Sequence, residues 1–314
     1  MRLIMNKKQK LFLVAVAVAC SVILAGLTYG ALTGESEGEA GTTIVATFYP
    51  LAYVAESIGG EKVSVHALIP PNTETHTWAP STADILQAQD ADILLYNGAG
   101  LEPWFEEDIL PALDVGQRIV VDTTEGLTLL PGGESESYDP HTWLSPYMLR
   151  MQAEKVLSAL VESDPANATY YSERWTSLDE ALASLDASYN DTLSSSTKSA
   201  VFVSHAAYGY LADRYGFTQY GIIGLSADEE PSTSTIATLV EQMTESDTYV
   251  VFVDPVYRDD YASTLESSLE EQSGQEVTVL HLYLLVGPMD DLDLLGQMEQ
   301  NLENLAVGLG ASVA

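Results

Sequence analysis

Short apolar segments alternate along the chain with longer segments in which apolar residues recur every three or four positions. The short segments of the first half are rich in β-branched and aliphatic residues, as buried strands are. They predict strands at 43–48, 62–69, 91–96 and 117–121. The segments between and after them predict helices at 50–58, 81–89, 103–110 and 147–162. Strands that alternate with helices of this length form parallel sheets covered by helices on both faces.

The same alternation returns in the second half, after one long helical segment. Residues 170–192 contain few turn formers and have apolar residues at helical spacing, which predicts one helix joining the two halves. The strands predicted beyond it are 200–204, 219–225, 249–253 and 276–285. The helices predicted beyond it are 206–215, 232–245, 259–272 and 292–309. The fold class is therefore α/β, with two Rossmann-like lobes whose sheets bind ligands at the carboxyl ends of their strands, in a cleft between the lobes.

The N-terminal segment has the pattern of a membrane-targeting sequence. Four basic residues precede 22 uncharged residues, from Leu11 to Leu32, and as a helix these would measure about 33 Å, enough to cross a bilayer. The basic flank predicts that the following chain is exported. Two interpretations remain: an uncleaved membrane anchor, or a lipoprotein signal in which Cys20 of the sequence AVAC carries the lipid.

These patterns divide the chain into five parts. In chain order we predict a membrane anchor or lipoprotein signal at 1–33, a flexible linker at 34–42, an N-terminal α/β lobe at 43–165, a connecting helix at 166–195 and a C-terminal α/β lobe at 196–314.

The charge balance excludes one class of partner. The chain has 46 acidic residues against 12 basic ones, a net charge of −34, whereas nucleic-acid binding needs a positive surface. Two explanations of the acidity remain open: a hydrated surface suited to high salt, or attraction of cations towards the cleft. The single cysteine rules out an intramolecular disulfide and a cysteine-rich zinc module.

Three of the five histidines are predicted at the ends of strands or in loops, where binding sites usually lie. His76 and His141 lie in turn-rich loops, and His205 directly follows an apolar strand. They are 65 and 64 residues apart, which excludes a local chelating motif such as HExxH. His66 lies inside a predicted strand and is interpreted as structural, and His281 is ambiguous.

Four sequence blocks resemble the zinc- and manganese-binding receptors of ABC uptake transporters, the cluster A-I or cluster 9 family. They read TFYPLAYVAESIGGEKVSVHALIPPNTETHTWAPSTADI, YDPHTWLSP, FVSHAAYGYLADRYGF and GLSADEEPS, and the resemblance extends from about residue 43 to the C-terminus. It implies two α/β lobes, a rigid connecting helix and a metal ion between the lobes. Carried over residue by residue, it implies that His76, His141 and His205 are the metal ligands.

One stretch departs from the family pattern. The family commonly supplies a fourth ligand, an Asp, on the last strand of the second lobe, but residues 279–287 read VLHLYLLVG and contain no carboxylate. The place of that Asp falls near Tyr283 or Leu284. The fourth position is therefore open to water or to one of three side chains: Glu230, Asp254 or His281.

The donor set favours zinc as the bound cargo. Three neutral imidazoles suit Zn²⁺, whereas Mn²⁺ prefers more carboxylate oxygens than this site offers. The resemblance implies a non-catalytic receptor that delivers zinc to an ABC permease and its ATPase. The N-terminal segment predicts that the receptor is tethered to the outer face of the cytoplasmic membrane, and we expect a monomer. The chain has no phosphate-binding loop of the GxxxxGK[ST] type.

Two alternative functions use the same three histidines. A zinc-dependent hydrolase or hydratase would activate water at an open fourth position. An adhesin or metal chaperone would present the same scaffold to a different partner.

Overall fold

The computed structural model describes residues 41–114, 116, 118–133, 137–225, 231–256 and 260–312. A compact unit begins at Thr42. The predicted segment 1–33, Cys20 and most of the predicted linker lie outside the described residues. Among the residues that are described, no helix has both the length and the apolar character needed to cross a bilayer.

The first lobe is built on a four-stranded parallel sheet. Its strands are β1 (Thr42–Ala46), β2 (Val63–Ala67), β3 (Ile93–Tyr96) and β4 (Ile119–Asp122). Their order across the sheet is β2-β1-β3-β4, and Ile44 pairs with both Val65 and Ile93. The strand order therefore reverses at β1 and β3, and the carboxyl ends of these strands open onto a crevice.

Three helices cover this sheet: α1 (Tyr49–Gly59), α2 (Thr82–Gln89) and α3 (Pro146–Ser163). A proline occupies the first turn of α1 and of α3, where its missing N–H has no intrahelical partner to lose. A capping box begins α2, because the Asp84 carboxylate accepts from the backbone N–H of Ser81 at 2.7 Å. The helix predicted at 103–110 is wrong in type: a π-helical turn at Phe105–Ile109 precedes a 3₁₀ turn at Leu110–Ala112.

A 26-residue helix, α4 (Ala168–Leu193), joins the lobes as predicted. It is about 39 Å long at 1.5 Å per residue, and it packs against α1 and α3 of the first lobe. Its buried face follows helical spacing and consists of Tyr171, Leu178, Leu182, Leu185, Tyr189 and Leu193.

The second lobe repeats the sheet of the first. Its strands are β5 (Ala200–His205), β6 (Thr218–Ile223), β7 (Val250–Val253) and β8 (Thr278–His281). They are parallel in the order β6-β5-β7-β8. Its helices are α5 (Gly209–Tyr215), α6 (Thr233–Glu245), α7 (Asp260–Ser273) and α8 (Leu294–Leu309).

The last strand is shorter than the predicted 276–285 because buried side chains hold the backbone beyond β8. The Asn301 side-chain oxygen accepts from the N–H of Tyr283 at 2.7 Å, and the Asp254 carboxylate accepts from the N–H of Leu284 at 2.5 Å. These two N–H groups therefore bond to side chains and not to a neighbouring strand. Leu285 then adopts a φ of 60°, which is unusual for a residue with a side chain.

One hydrophobic cluster includes residues of both sheets and of the helix α4 that joins the lobes. A second cluster fills the other face of the second sheet, beneath α6 and α7. Each fully buried aliphatic side chain stabilises the fold by about 1.5–3 kcal/mol, so a core shared by both lobes resists their separation. The predicted α/β fold of two parallel-sheet lobes joined by a long helix is confirmed.

Candidate metal centre

The structure brings the three predicted histidines to one place between the lobes. His76 lies in the loop after β2, His141 precedes the 3₁₀ turn Thr142–Leu144, and His205 is the last residue of β5. Each offers a ring nitrogen, and the three nitrogens lie within 4.8 Å of one another. The rings of His141 and His205, one from each lobe, have centroids 4.9 Å apart.

The spacing of the nitrogens suits a small tetrahedral ion. Nε2 of His76 lies 3.1 Å from Nε2 of His141. Zn–N bonds of about 2.0–2.1 Å at tetrahedral angles place two ligand nitrogens roughly 3.3 Å apart. The two imidazoles therefore stand close to the separation that a shared zinc ion requires.

Asp139 orients the ring of His141. Its Oδ1 accepts from Nδ1 of His141 at 2.8 Å and from the backbone N–H of the same residue at 3.0 Å. When Asp139 is ionised, Nδ1 of His141 carries the proton, and Nε2, which faces His76, has the lone pair. A carboxylate behind a histidine in this way fixes the tautomer and raises the basicity of the imidazole.

Burial keeps two of the histidines neutral. His141 and His205 are each only 1% exposed. Burial lowers the pKa of His141 to about 3, and burial together with the neighbouring His141 lowers the pKa of His205 to about 3. At neutral pH both rings are uncharged, which is the form that binds metal.

Glu74 folds the loop that carries His76. One carboxylate oxygen accepts from the backbone N–H of His76, and the other accepts from the N–H of Thr77, both at 2.7 Å. Burial raises the pKa of Glu74, but the hydrogen bonds from Thr77 and His76 outweigh it, so the pKa lies below its usual value. The carboxylate is thus ionised and engaged with the backbone of its own loop.

Apolar side chains line the cavity together with the three histidines. The cavity has a volume of about 10 Å³, close to the space of one water molecule. The apolar side chains come from both lobes: Trp143, Val256, Leu284 and Val286. The Trp143 indole N–H donates to the carbonyl of Leu284 at 2.8 Å, which links the lobes beside the site.

The side chains considered for the fourth position are placed elsewhere or lie outside the described residues. Asp254 is 3% exposed, and its oxygens accept from the backbone N–H groups of Val256 and Leu284. His281 is exposed at the end of β8. Within the described ranges, the metal-ligating side chains that converge are His76, His141 and His205 alone. Glu230 lies outside the described residues.

Sequence reasoning missed two carboxylates that support the site. Glu74 and Asp139 each lie two residues before a ligand candidate. A carboxylate at that spacing can accept from the backbone N–H of the histidine, and both do. The two-residue spacing between carboxylate and histidine was the feature of the sequence that could have identified Glu74 and Asp139. His66 is exposed on the edge strand β2, in the strand position predicted for it.

Residues 44–308 match the family described as "ZnuA: Zinc-uptake complex component A periplasmic". The chain belongs to the ZnuA family. The resemblance inferred from the four sequence blocks is thereby confirmed, and the metal-binding receptors of ABC transporters are its relatives.

Three similar proteins align with most of this chain. The high-affinity zinc uptake system protein ZnuA of Bacillus subtilis is 30% identical over 278 residues, which cover 84% of this chain and 86% of that protein. The manganese-binding lipoprotein MntA of Halalkalibacterium halodurans is 31% identical over 237 residues, covering 75% and 78%. The Zn(II)-bound ZnuA-like domain of Streptococcus pneumoniae AdcA has a TM-score of 0.73 at 30% identity, covering 86% of this chain and 99% of that one.

Membership of the ZnuA family settles the broad functional class. The family consists of extracytoplasmic metal-binding components of uptake complexes and not of enzymes. The expectation of a non-catalytic protein is confirmed, and the hydrolase or hydratase alternative is wrong.

Proposed function

We propose that this chain is an extracytoplasmic receptor that binds Zn²⁺ through His76, His141 and His205 and delivers it to an ABC permease. The observation that carries the proposal is the convergence of three ring nitrogens within 4.8 Å between the lobes. Zinc is the cargo of this receptor, and the three imidazoles are its protein ligands.

The donor set and the size of the cavity favour zinc over manganese. Three neutral imidazoles and room for about one water complete a tetrahedral shell. Mn²⁺ prefers carboxylate and water oxygens, whereas the carboxylate that lines the cavity, Glu74, is engaged with backbone N–H groups of its own loop. Water occupies the fourth position, and Glu230 stays the alternative ligand.

The placement of the ligands gives the metal a role in holding the lobes together. His76 and His141 belong to the first lobe, and His205 belongs to the second. A metal bound to all three favours the state in which the lobes are closed. Because α4 and a common core connect the lobes, the opening that releases zinc is a small motion.

The receptor acts outside the membrane as a partner of a transport complex. Segment 1–33 tethers it to the outer face of the cytoplasmic membrane, either as an anchor or through a lipid on Cys20. It functions as a monomer and hands zinc to a permease whose ATPase supplies the energy. An adhesin or chaperone would bind the same metal and differ only in its partner.

Metal analysis of the purified protein tests the cargo. We expect one zinc per chain and negligible manganese after exposure to equimolar amounts of both ions, because the site offers nitrogen ligands and little space. Mass spectrometry under native conditions measures the stoichiometry. One manganese per chain with no zinc would overturn the assignment of zinc as the cargo.

A further inference from the structure

The side chain of Asn97 lies beneath the loop that carries His141. Asn97 follows β3 and is completely buried. The next residue, Gly98, has a φ of 81°, and a Cβ there would overlap the carboxylate of Asp122. The Asn-Gly pair thus forms a tight turn at the carboxyl end of the sheet, which points the Asn97 amide towards the loop.

The Asn97 amide bonds to the residues on both sides of His141. Its Nδ2 donates to the carbonyl of Pro140 at 2.9 Å, and its Oδ1 accepts from the hydroxyl of Thr142 at 3.3 Å. Asp139 orients the imidazole of His141 but belongs to the same loop, so their bond does not place the loop on the lobe. The bonds of Asn97 do, because they connect the loop to the end of β3.

Two buried side chains fix the orientation of Asn97. Gln152 donates from Nε2 to Oδ1 of Asn97 at 3.0 Å and to the Thr123 hydroxyl at 2.8 Å. Glu102, which is 2% exposed, accepts from the backbone N–H of Asn97 at 2.8 Å and from the Thr47 hydroxyl at 2.6 Å. The amide therefore has its donor side on Pro140 and its acceptor side on Gln152.

We propose that Asn97 is a positioning residue of the metal site, which holds the loop 140–142 so that His141 faces His76 before the metal arrives. The inference rests on the proposed function, in which His141 is a ligand. A loop fixed in advance loses little conformational freedom on binding, so the metal binds more tightly than it would to a mobile ligand.

Three substitutions in the full-length protein test the role of Asn97. Asn97→Ala removes all of its side-chain bonds, and Asn97→Asp keeps the acceptor but loses the donor to Pro140. Gln152→Met keeps the size of the side chain and releases the amide of Asn97, so it tests the same bonds if the Asn97 variants do not fold. We expect each to weaken zinc binding by about 10- to 100-fold, the range typical of residues that support metal ligands.

Two measurements separate positioning from general destabilisation. Competition with a chromophoric chelator gives the zinc affinity, and the visible absorption of the Co²⁺-loaded protein reports the geometry of the ligands. The matched control is Tyr189→Phe, because the buried Tyr189 hydroxyl donates to the carbonyl of Met298 at 2.6 Å, in the second-lobe helix α8. We expect this control to lower the melting temperature and to leave the affinity and the cobalt spectrum unchanged.

The inference is overturned if the Asn97 variants, or Gln152→Met where those variants do not fold, keep wild-type affinity and spectrum. It is also overturned if Tyr189→Phe loses as much affinity as they do. Failure of the proposed function looks different. In that case the unaltered protein does not bind zinc, or His141→Ala binds it as tightly as the wild type, and the inference falls with it.

Discussion

The two lobes position the three histidines of the proposed metal site by different means. In the second lobe, His205 is the last residue of β5, and its backbone is paired in register with Ile223 of the neighbouring strand. In the first lobe, His76 and His141 lie in loops, and each loop is folded by a carboxylate two residues before the histidine. A strand positions a side chain more precisely than a loop does, so the two loops depend more on these supporting hydrogen bonds.

The largest expected effect comes from removing one of the three proposed ligands, whether it lies in a loop or at the end of a strand. His76→Ala, His141→Ala and His205→Ala should each weaken zinc binding by about 100-fold or more. A zinc site of four ligands is worth about 10–16 kcal/mol, so one ligand contributes roughly 3 kcal/mol. Calorimetric titration measures the loss, and His66→Ala, at an exposed position on β2, is the control that should bind normally.

Wild-type affinity in any one of these three variants would remove that histidine from the ligand set. If only His205→Ala retained binding, the metal would belong to the first lobe alone, and the proposed tie between the lobes would be wrong. Glu230→Gln, tested in parallel, shows whether that carboxylate or water completes the shell.

The next largest effect is on stability and comes from the buried carboxyl group of Glu102, which bonds to the backbone of Asn97. Burial raises the pKa of Glu102 from 4.5 to about 7, despite the hydrogen bonds it accepts from Thr47 and Asn97. A raised folded-state pKa means that the folded protein binds more protons than the unfolded chain between these values. Stability from this group is therefore full below pH 4.5 and is lost as the pH rises to 7.

The variant Glu102→Gln isolates this contribution, because it has no proton to lose. Relative to the wild type, its free energy of unfolding should increase by about 1.4 kcal/mol per pH unit between pH 4.5 and 7. Urea unfolding of the metal-free proteins at a series of pH values gives the difference. Parallel pH profiles for the two proteins would show that Glu102 has an ordinary pKa.

The smallest expected effect concerns the loop of His76. Glu74→Gln keeps the size of the side chain but replaces one acceptor oxygen by a donor, so one of the bonds to His76 or Thr77 is lost. We expect zinc affinity to fall about tenfold, with little change in the melting temperature. Thr77→Val, which removes only the hydroxyl bond to Glu74, should reduce affinity less. Equal affinity for Glu74→Gln and wild type would mean that the loop holds its shape without the carboxylate.

The pattern of the chain determined most of the fold. Alternating short apolar and longer amphipathic segments predicted both sheets and the long helix. A buried face requires apolar residues at every second position of a strand and about every 3.6 positions of a helix. One error lies where side-chain chemistry overrides that period, and another where the helix type differs from the predicted one. Asp254 and Asn301 take the N–H groups that would have prolonged β8, and the segment at 105–112 winds into π and 3₁₀ turns.

The sequence by itself also identified which histidines to consider, since His76, His141 and His205 all lie at the ends of elements or in loops. Only the tertiary structure decided that their rings meet, that Asp254 and His281 stand apart from them, and that Asn97 holds the loop of His141. The physical reason is that these contacts join residues tens of positions apart. A local sequence period carries no information about a hydrogen bond between distant segments, so only the packing within and between the lobes brings these residues within reach.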